Sequence, residues 1–347
     1  MHARRILISP LDWGLGHTTR TLPIIDILIN KGHKVTVACN DRQKALIKKD
    51  YPTIKFVHLD GYDVEYSLNT SMAWNMIKQS PKITRNIKRE NKWLEEFIDE
   101  NPQDFIISDN RFGFYHPRVE NVYITHQINI QGPAIIKPIL FGLHKSYIDN
   151  FHHCWIPDTS DSLLAGDLSK TNIERFKYIG PVSRFKKAAT DDQTKYKYLG
   201  IASGPEPQKS AFCKLLEEKF LEIDEPCAII GGEPLSKESN QIENITYFPH
   251  LGTPDFYEAV SSSEVIISRS GYSTIMDFSI LQKPIFFVPT PGQTEQEYLA
   301  KFHYEQSGIG YCKQSEFNLA KVKTANKLPQ ASPEEWRDKI WEVITLL

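Results

Sequence analysis

The chain has 347 residues, with 41 Lys and Arg against 43 Asp and Glu, a formal net charge of -2 and 40% hydrophobic residues. That length exceeds one ordinary domain and predicts two, and so small a net charge gives no field that would steer nucleic acid. The balance of apolar and charged residues excludes a disordered or fibrous chain.

In chain order, Arg5-Ile6-Leu7-Ile8-Ser9 reads as a short apolar strand, too brief after the basic Met1-His2-Ala3-Arg4-Arg5 to be a signal peptide. Apolar residues at Leu22, Ile25, Leu28 and Ile29 have helical spacing and predict a helix over Thr19 to Asn30, stopped by Lys31-Gly32-His33. Val35 to Ala38 is a second strand and Asp41 to Lys49 a second helix, with further strands over Ile54 to Leu59, Phe105 to Ser108 and Val122 to Thr125. Between them, Ala73 to Glu100 reads as one long helix or two broken near Pro81. After Gly180-Pro181-Val182-Ser183-Arg184 and a polar run, a second series begins. It has strands at Tyr196 to Ala202, Ala228 to Gly232, Ile245 to Phe248, Glu264 to Ser268 and Pro284 to Val288, and a helix at Gln208 to Leu221. Strands alternating with helices predict parallel sheets. The expected architecture is α/β, with two Rossmann-like, doubly wound sheets facing across a cleft.

The near-zero charge hides an asymmetry. Residues through Arg184 hold 24 Lys and Arg against 20 Asp and Glu, and the rest hold 17 against 23. Nine of the eleven histidines lie in that first, basic half. The five cysteines, Cys39, Cys154, Cys213, Cys227 and Cys312, form no CxxC pair and no zinc spacing, as expected for a reducing cytoplasm. No apolar run approaches the ~20 residues of a spanning helix.

The first strand runs into Trp13-Gly14-Leu15-Gly16-His17, where glycines let the backbone turn tightly and approach a ligand. Arg20 stands where the dinucleotide fingerprint needs a small residue, which argues against a nicotinamide site. His17 is at the strand-to-helix turn, either as a catalytic base at the crevice or as a capping group. Asp109, at the end of the strand Phe105 to Ser108, would orient His17 or else begin a turn. His126, Gln127 and Asn129 either line the cleft or cap the loop they start.

In the second half, Arg269-Ser270-Gly271 follows a strand and opens a helix, a ready anion site. Asp277, seven residues beyond Ser270, lies two turns on along the same face, about 10 Å away. That separation suits a diphosphate and its ribose, and the alternative is an exposed surface carboxylate. Thr294 with Glu297 forms a capping box, while the Gln and Glu residues at Gln293, Gln296 and Glu297 also suit sugar hydroxyls. Ser203-Gly204 offers backbone N–H groups to phosphate. No Asp-x-Asp occurs, so a metal-clamped diphosphate is not expected.

Together these residues resemble glycosyltransferases of the GT-B fold, and most closely family 28, which includes the peptidoglycan lipid-intermediate N-acetylglucosaminyltransferase. The resemblance is carried by Arg269-Ser270-Gly271 with an acid at Asp277, by Val288-Pro289 and by Gln296-Glu297-Tyr298, where the second family Gln is replaced. Gly16-His17, the His126 and Asn129 pair and Gly180-Pro181-Val182-Ser183-Arg184 match it in the first half. His17 with Asp109 also resembles the His–Asp dyad of small-molecule UDP-glycosyltransferases.

The resemblance implies an inverting, metal-independent transfer of a sugar from UDP-N-acetylglucosamine or a related hexose donor to an acceptor hydroxyl. It implies His17 and Asp109 as catalytic residues and no cofactor. Donor binding would fall to Ser203, Gly204, Arg269, Ser270, Gly271, Asp277, Gln293, Gln296 and Glu297. Acceptor binding would fall to Trp13, Gly14, Gly16, His126 and Asn129. Residues 1–183 would form the acceptor domain, 184–195 a linker, 196–332 the donor domain and 333–347 a C-terminal helix packing back on the first domain. The alternatives are a UDP-sugar 2-epimerase of the same fold and a non-catalytic nucleotide-sugar-binding protein. The apolar stretch Ala134 to Ile148 and the six Lys and Arg between Lys78 and Lys92 read as core and solvated face. They also suit a cytoplasmic enzyme held peripherally at the inner membrane face for a lipid-linked acceptor, in cell envelope glycan synthesis.

Overall fold

The computed structural model describes residues 3–62, 72–131, 137–190, 194–233, 235, 239–332, 338, 340 and 342. Seven strands make the first sheet: β1 (Arg5–Pro10), β2 (Lys34–Cys39), β3 (Lys55–His58), β4 (Phe105–Asp109), β5 (Asn121–Ile124), β6 (His153–Ile156) and β7 (Phe176–Tyr178). Their order is β3-β2-β1-β4-β5-β6-β7, with every neighbouring pair parallel. The second sheet holds β8 (Tyr196–Ile201), β9 (Cys227–Ile230), β10 (Asn240–Ile242), β11 (Ile245–Phe248), β12 (Ser263–Ser268) and β13 (Ile285–Phe287). Its order is β10-β11-β9-β8-β12-β13, parallel except for the β10–β11 pair. Each sheet reverses its winding beside its first strand, at β1/β4 and at β8/β12, and ligands bind beyond the strand ends at such points.

The helices that matter for the site are α1 (Leu15–Asn30), α2 (Asp41–Asp50), α6 (Thr253–Ser261), α7 (Tyr272–Leu281) and α8 (Thr294–Ser307). Helix α1 begins four residues before the predicted start, so His17 lies in its first turn instead of in a loop. The predicted long region is a single helix, α3 (Met72–Glu100), which continues through Pro81. Helices α4 (Lys137–Ile148) and α5 (Gln208–Phe220) are also formed. The strands β6, β7 and β10 are three or four residues long. None of the three was read from the sequence, where Lys177 interrupts β7 and Asn240-Gln241 make β10 polar.

Two packing features tie the halves together. Leu164, Ala165 and Leu168 precede β7 in the chain, yet they pack in the core of the second sheet with Ile266, Ile275 and Leu299. Asp158 fixes that excursion by accepting from the backbone N–H of Leu164 and Ala165 and from Ser169 Oγ. In the other direction Ile340, fully buried, joins the core of the first sheet with Leu22, Ile25, Trp155 and Ile179. Ile340 and its described neighbours at 338 and 342 are helical, as expected for a C-terminal helix returning to the first sheet. The rest of the predicted helix over 333–347 lies outside the described residues.

Candidate active site between two helix N-termini

The first-sheet side of the site is a knot of charged groups around Asp109. This residue ends β4 and is fully buried. His17 Nδ1 lies 3.1 Å from its Oδ1, so the predicted His17 and Asp109 pair is formed. Arg20, one turn beyond His17, was not singled out from the sequence. Its Nε donates to Asp109 Oδ2 at 3.0 Å and its Nη2 donates to Asp109 Oδ1, a forked pair. Nη2 is also 2.8 Å from His17 Nδ1, and Nη1 is 3.3 Å from His126 Nδ1. Burial alone would push the Asp109 carboxyl up, but the Arg20 and His17 charges and hydrogen bonds outweigh it and hold it below the usual carboxylate range. A carboxylate only accepts and a guanidinium only donates, so Nδ1 satisfies one of them at a time. With Nδ1 engaged and the side chain 19% exposed, Nε2 is the nitrogen His17 can offer to a substrate.

His126 carries this knot to the other half. Its Nε2 is 2.8 Å from Glu295 Oε1 in the first turn of α8, and Gln127 Nε2 donates to Glu295 Oε2. Accepting at Nδ1 from Arg20 and donating at Nε2 to Glu295 makes His126 a neutral imidazole, and burial lowers it further below its ordinary range. Its ring stacks on Tyr272 at 4.1 Å and 9°. Tyr272 in turn donates to Pro157 O at 2.7 Å, and Ser273 Oγ donates to Gly16 O at 2.9 Å. A Cβ on Gly16 would stand 3.0 Å from Ser273 Oγ, so glycine is what lets the two helices approach.

The N-termini of α1 and α7 therefore meet. Neither has a side-chain cap or an acidic residue in its first turn, so both present unmatched N–H groups and partial positive charge. By contrast Asp50 of α2 reaches the start of α6, accepting from Thr253 Oγ1 at 2.9 Å. Gly14 caps α1 and Gly271 caps α7, and the space around a Cβ at Gly271 is open. The Ser203-Gly204 loop follows β8, with Gly204 at φ 111 and open space beside it.

Several predicted residues are engaged by the protein itself, Arg269 first. It is buried, and its Nη1 donates to Val288 O and Pro289 O, while Nη2 donates to Gln208 O and Gln314 Oε1. Its guanidinium lies 4.0 Å from the Phe212 ring centre, and burial lowers it to about 9. It fastens the loop after β13 to the start of α5. Asn129 is likewise engaged: its Nδ2 donates to Asp167 O and Lys170 O and pins the excursion at Leu164 to Leu168. Ser270 Oγ donates to Gln296 O, Gln293 caps α8 through Gln296 N, and Gln296 Oε1 accepts from Thr290 N. Glu297 accepts from Gly292 N. The predicted capping box on Thr294 is thus replaced by a cap on Gln293, and the residue that crosses the cleft is Glu295.

Asp277 is on α7 as predicted, but its Oδ1 accepts from Ser183 Oγ at 2.7 Å and its Oδ2 is 3.8 Å from Arg184 Nε. Burial raises its carboxyl despite both partners. Beside Arg184 a cavity of about 850 Å³ is lined by Pro23, Asp50, His250 and Thr253. Trp13 sits edge-on to Tyr62 at 6.2 Å, with Phe112 and Tyr147 nearby, and its Nε1 is buried without a partner among the described residues. Also among those residues, no three His, Cys, Asp or Glu side chains are grouped to hold a metal ion, and no helix is long and apolar enough to cross a membrane. Helix α4 exposes Ile139 and Leu143 at 69% and 55%, and residues 134–136 of the predicted apolar stretch lie outside the described region.

Comparison with known proteins agrees with this layout. A family model described as glycosyl transferase family 1 matches residues 4–329, where the motifs had suggested family 28. An uncharacterized glycosyltransferase of Methanosarcina acetivorans is 26% identical over 337 residues, covering 88% of this chain and 84% of its own. Among solved structures, the glycosyltransferase SnogD from Streptomyces nogalater superposes with a TM-score of 0.66 at 12% identity, over 99% of this chain and 100% of that one. MurG from Acinetobacter baumannii does so at 0.55 and 12%, over 99% and 100%. The two-sheet fold is GT-B.

Proposed function

This chain belongs to glycosyl transferase family 1 and is a glycosyltransferase, and we propose that it moves a sugar from a UDP-sugar donor to an acceptor hydroxyl with inversion and without a metal. The observation that carries the reading is the meeting of the His17–Asp109–Arg20 knot with the uncapped N-terminus of α7. One supplies a base, the other an anion site, and the Ser273–Gly16 hydrogen bond sets them side by side.

In this mechanism His17 Nε2 takes the acceptor O–H proton as that oxygen bonds to the anomeric carbon. The bond from that carbon to the diphosphate breaks, and UDP leaves with the electron pair. Asp109 stabilises the imidazolium, and the first N–H groups of α7 with the Ser203-Gly204 loop hold the departing diphosphate. Ribose hydroxyls would replace Ser183 Oγ on Asp277. Trp13, Gly14 and Gly16 would border the acceptor. The exposed Ile139 and Leu143 on α4 support an acceptor presented at a lipid surface, which flotation with anionic liposomes tests directly.

A thermal-shift screen of UDP-sugars identifies the donor, and UDP release with candidate acceptors then measures turnover. The reading expects His17→Ala to abolish nearly all of it. Near wild-type turnover in that variant, with a verified acceptor, would show that His17 is not the base.

A further inference from the structure

Arg20 lies at the centre of the site, and the transfer chemistry above gives it no role. Its side chain is about as buried as that of Asp109, and it touches three other ionisable groups there. Two of its nitrogens grip both oxygens of Asp109, so the carboxylate cannot rotate without breaking a forked pair. A third, Nη1, reaches His126, which Glu295 holds from the first turn of α8. The remaining groups facing Asp109 are His17 on the same helix and Tyr123 on β5, while Tyr272 of α7 covers the far face of His126.

Resting on the proposed base role of His17, we propose that Arg20 is a positioning residue for the His17–Asp109 pair, and that through His126 it makes their alignment depend on Glu295 of the opposite half. The physical reasoning is direct. A carboxylate this deeply buried is unfavourable unless a cation accompanies it. Arg20 is the only permanent cation paired with Asp109 among the described residues. Its fork turns Oδ1 toward Nδ1 of His17 at 3.1 Å; since Nη2 of the same arginine stands 2.8 Å from that nitrogen, the alignment that serves a base is the one in which Asp109 accepts from Nδ1 and the lone pair lies on Nε2. Glu295 then does for His126 what Asp109 does for His17. It fixes the ring so that Nδ1 faces Arg20, and it is in place only when α8 stands against the first sheet.

The tautomer of His17 reports this without any substrate. Ring-nitrogen NMR of uniformly ¹⁵N-labelled full-length protein at pH 7.5, with His17→Gln and His126→Gln for assignment, is the measurement. Wild type is expected to show His17 protonated at Nδ1. In Arg20→Gln the His17 signals should move toward the average of two tautomers, Arg20→Lys should recover part of the wild-type pattern, and Glu295→Gln should move both His126 and His17. Circular dichroism checks that each variant is folded, and the surface-reachable Glu295→Gln keeps the test alive should Arg20→Gln fail to fold. Wild-type His17 signals in folded Arg20→Gln would overturn the positioning role, and unmoved His17 in Glu295→Gln would overturn the coupling across the cleft. A wild-type His17 protonated at Nε2 would instead sink the base role itself, so the two failures are distinguishable.

Discussion

The edge of β4 against α1 and the edge of β12 against α5 are the same place in two copies of one topology, and each holds a buried arginine. Arg20 meets a carboxylate and two imidazoles, while Arg269 meets backbone carbonyls, one glutamine oxygen and a phenylalanine face. The first arrangement keeps ionisable groups poised within reach of a reacting proton. The second secures a loop so that helix N–H groups can face an anion. In the proposed mechanism one half handles a proton and the other holds the departing diphosphate at helix N–H groups.

His17→Ala strikes the proton-handling side hardest. With positioned proton transfer worth about 10²–10⁴ in rate, kcat is expected to fall by about that factor while the thermal midpoint stays nearly constant. Arg269→Met should do the reverse. It leaves several buried carbonyls without a donor and is expected to cost about 2–3 kcal/mol in denaturant unfolding, with kcat of the folded enzyme within about twofold of wild type. A collapse of kcat without lost stability would erase the distinction between the two arginines.

Acid should loosen the molecule through histidines outside the site. Burial lowers His144 and His303 to about 4, and burial with Lys49, Arg184 and Arg42 nearby lowers His250 to about 3. Each lies below its unfolded value, so the unfolded chain takes up the proton first and stability falls as pH drops below about 6.5. At pH 5 that amounts to about 2 kcal/mol for each, and His303→Gln should flatten the profile by that amount. Asp109 works in a different window. Its depressed carboxyl stabilises the fold above the usual carboxylate range and loses that contribution only as pH falls below it. Smallest of all, Ser273→Ala removes one hydrogen bond between the facing helices, about 1 kcal/mol. It should raise KM for the donor severalfold with kcat little changed, and an unchanged KM would mean the helix contact does not shape the anion site.

Strands such as Ile6-Leu7-Ile8, Phe105-Ile106-Ile107 and Ile285-Phe286-Phe287 were legible in the sequence, because a strand buried on both faces of a parallel sheet has no polar alternation to dilute it. His153-Cys154-Trp155-Ile156 and Phe176-Lys177-Tyr178 were not, since a histidine opens the first and a lysine interrupts the second. At the site, His17 and Asp109 could be found from their places at strand ends. Arg20 could not, because its role rests on contacts 89 and 106 residues away. The nearest available signal was its position one turn after His17, on the same helix face. Arg269 misled for a related reason: a charge beside an anion-binding motif suggests a ligand contact, and only packing shows it turned toward Phe212. Glu295 was hidden among three neighbouring Gln and Glu residues that shape their own loop.

Ile340 in the first core and Leu164 to Leu168 in the second have a consequence for how the protein is made. A chain leaving the ribosome cannot complete its first core until residue 340 has been synthesised, and it exposes Leu164, Ala165 and Leu168 until β12 and α7 follow. Contacts so distant in sequence slow folding and leave apolar surface open meanwhile. A fragment ending before β8 should therefore be prone to aggregate, and a recombinant first half is best produced with the second half present.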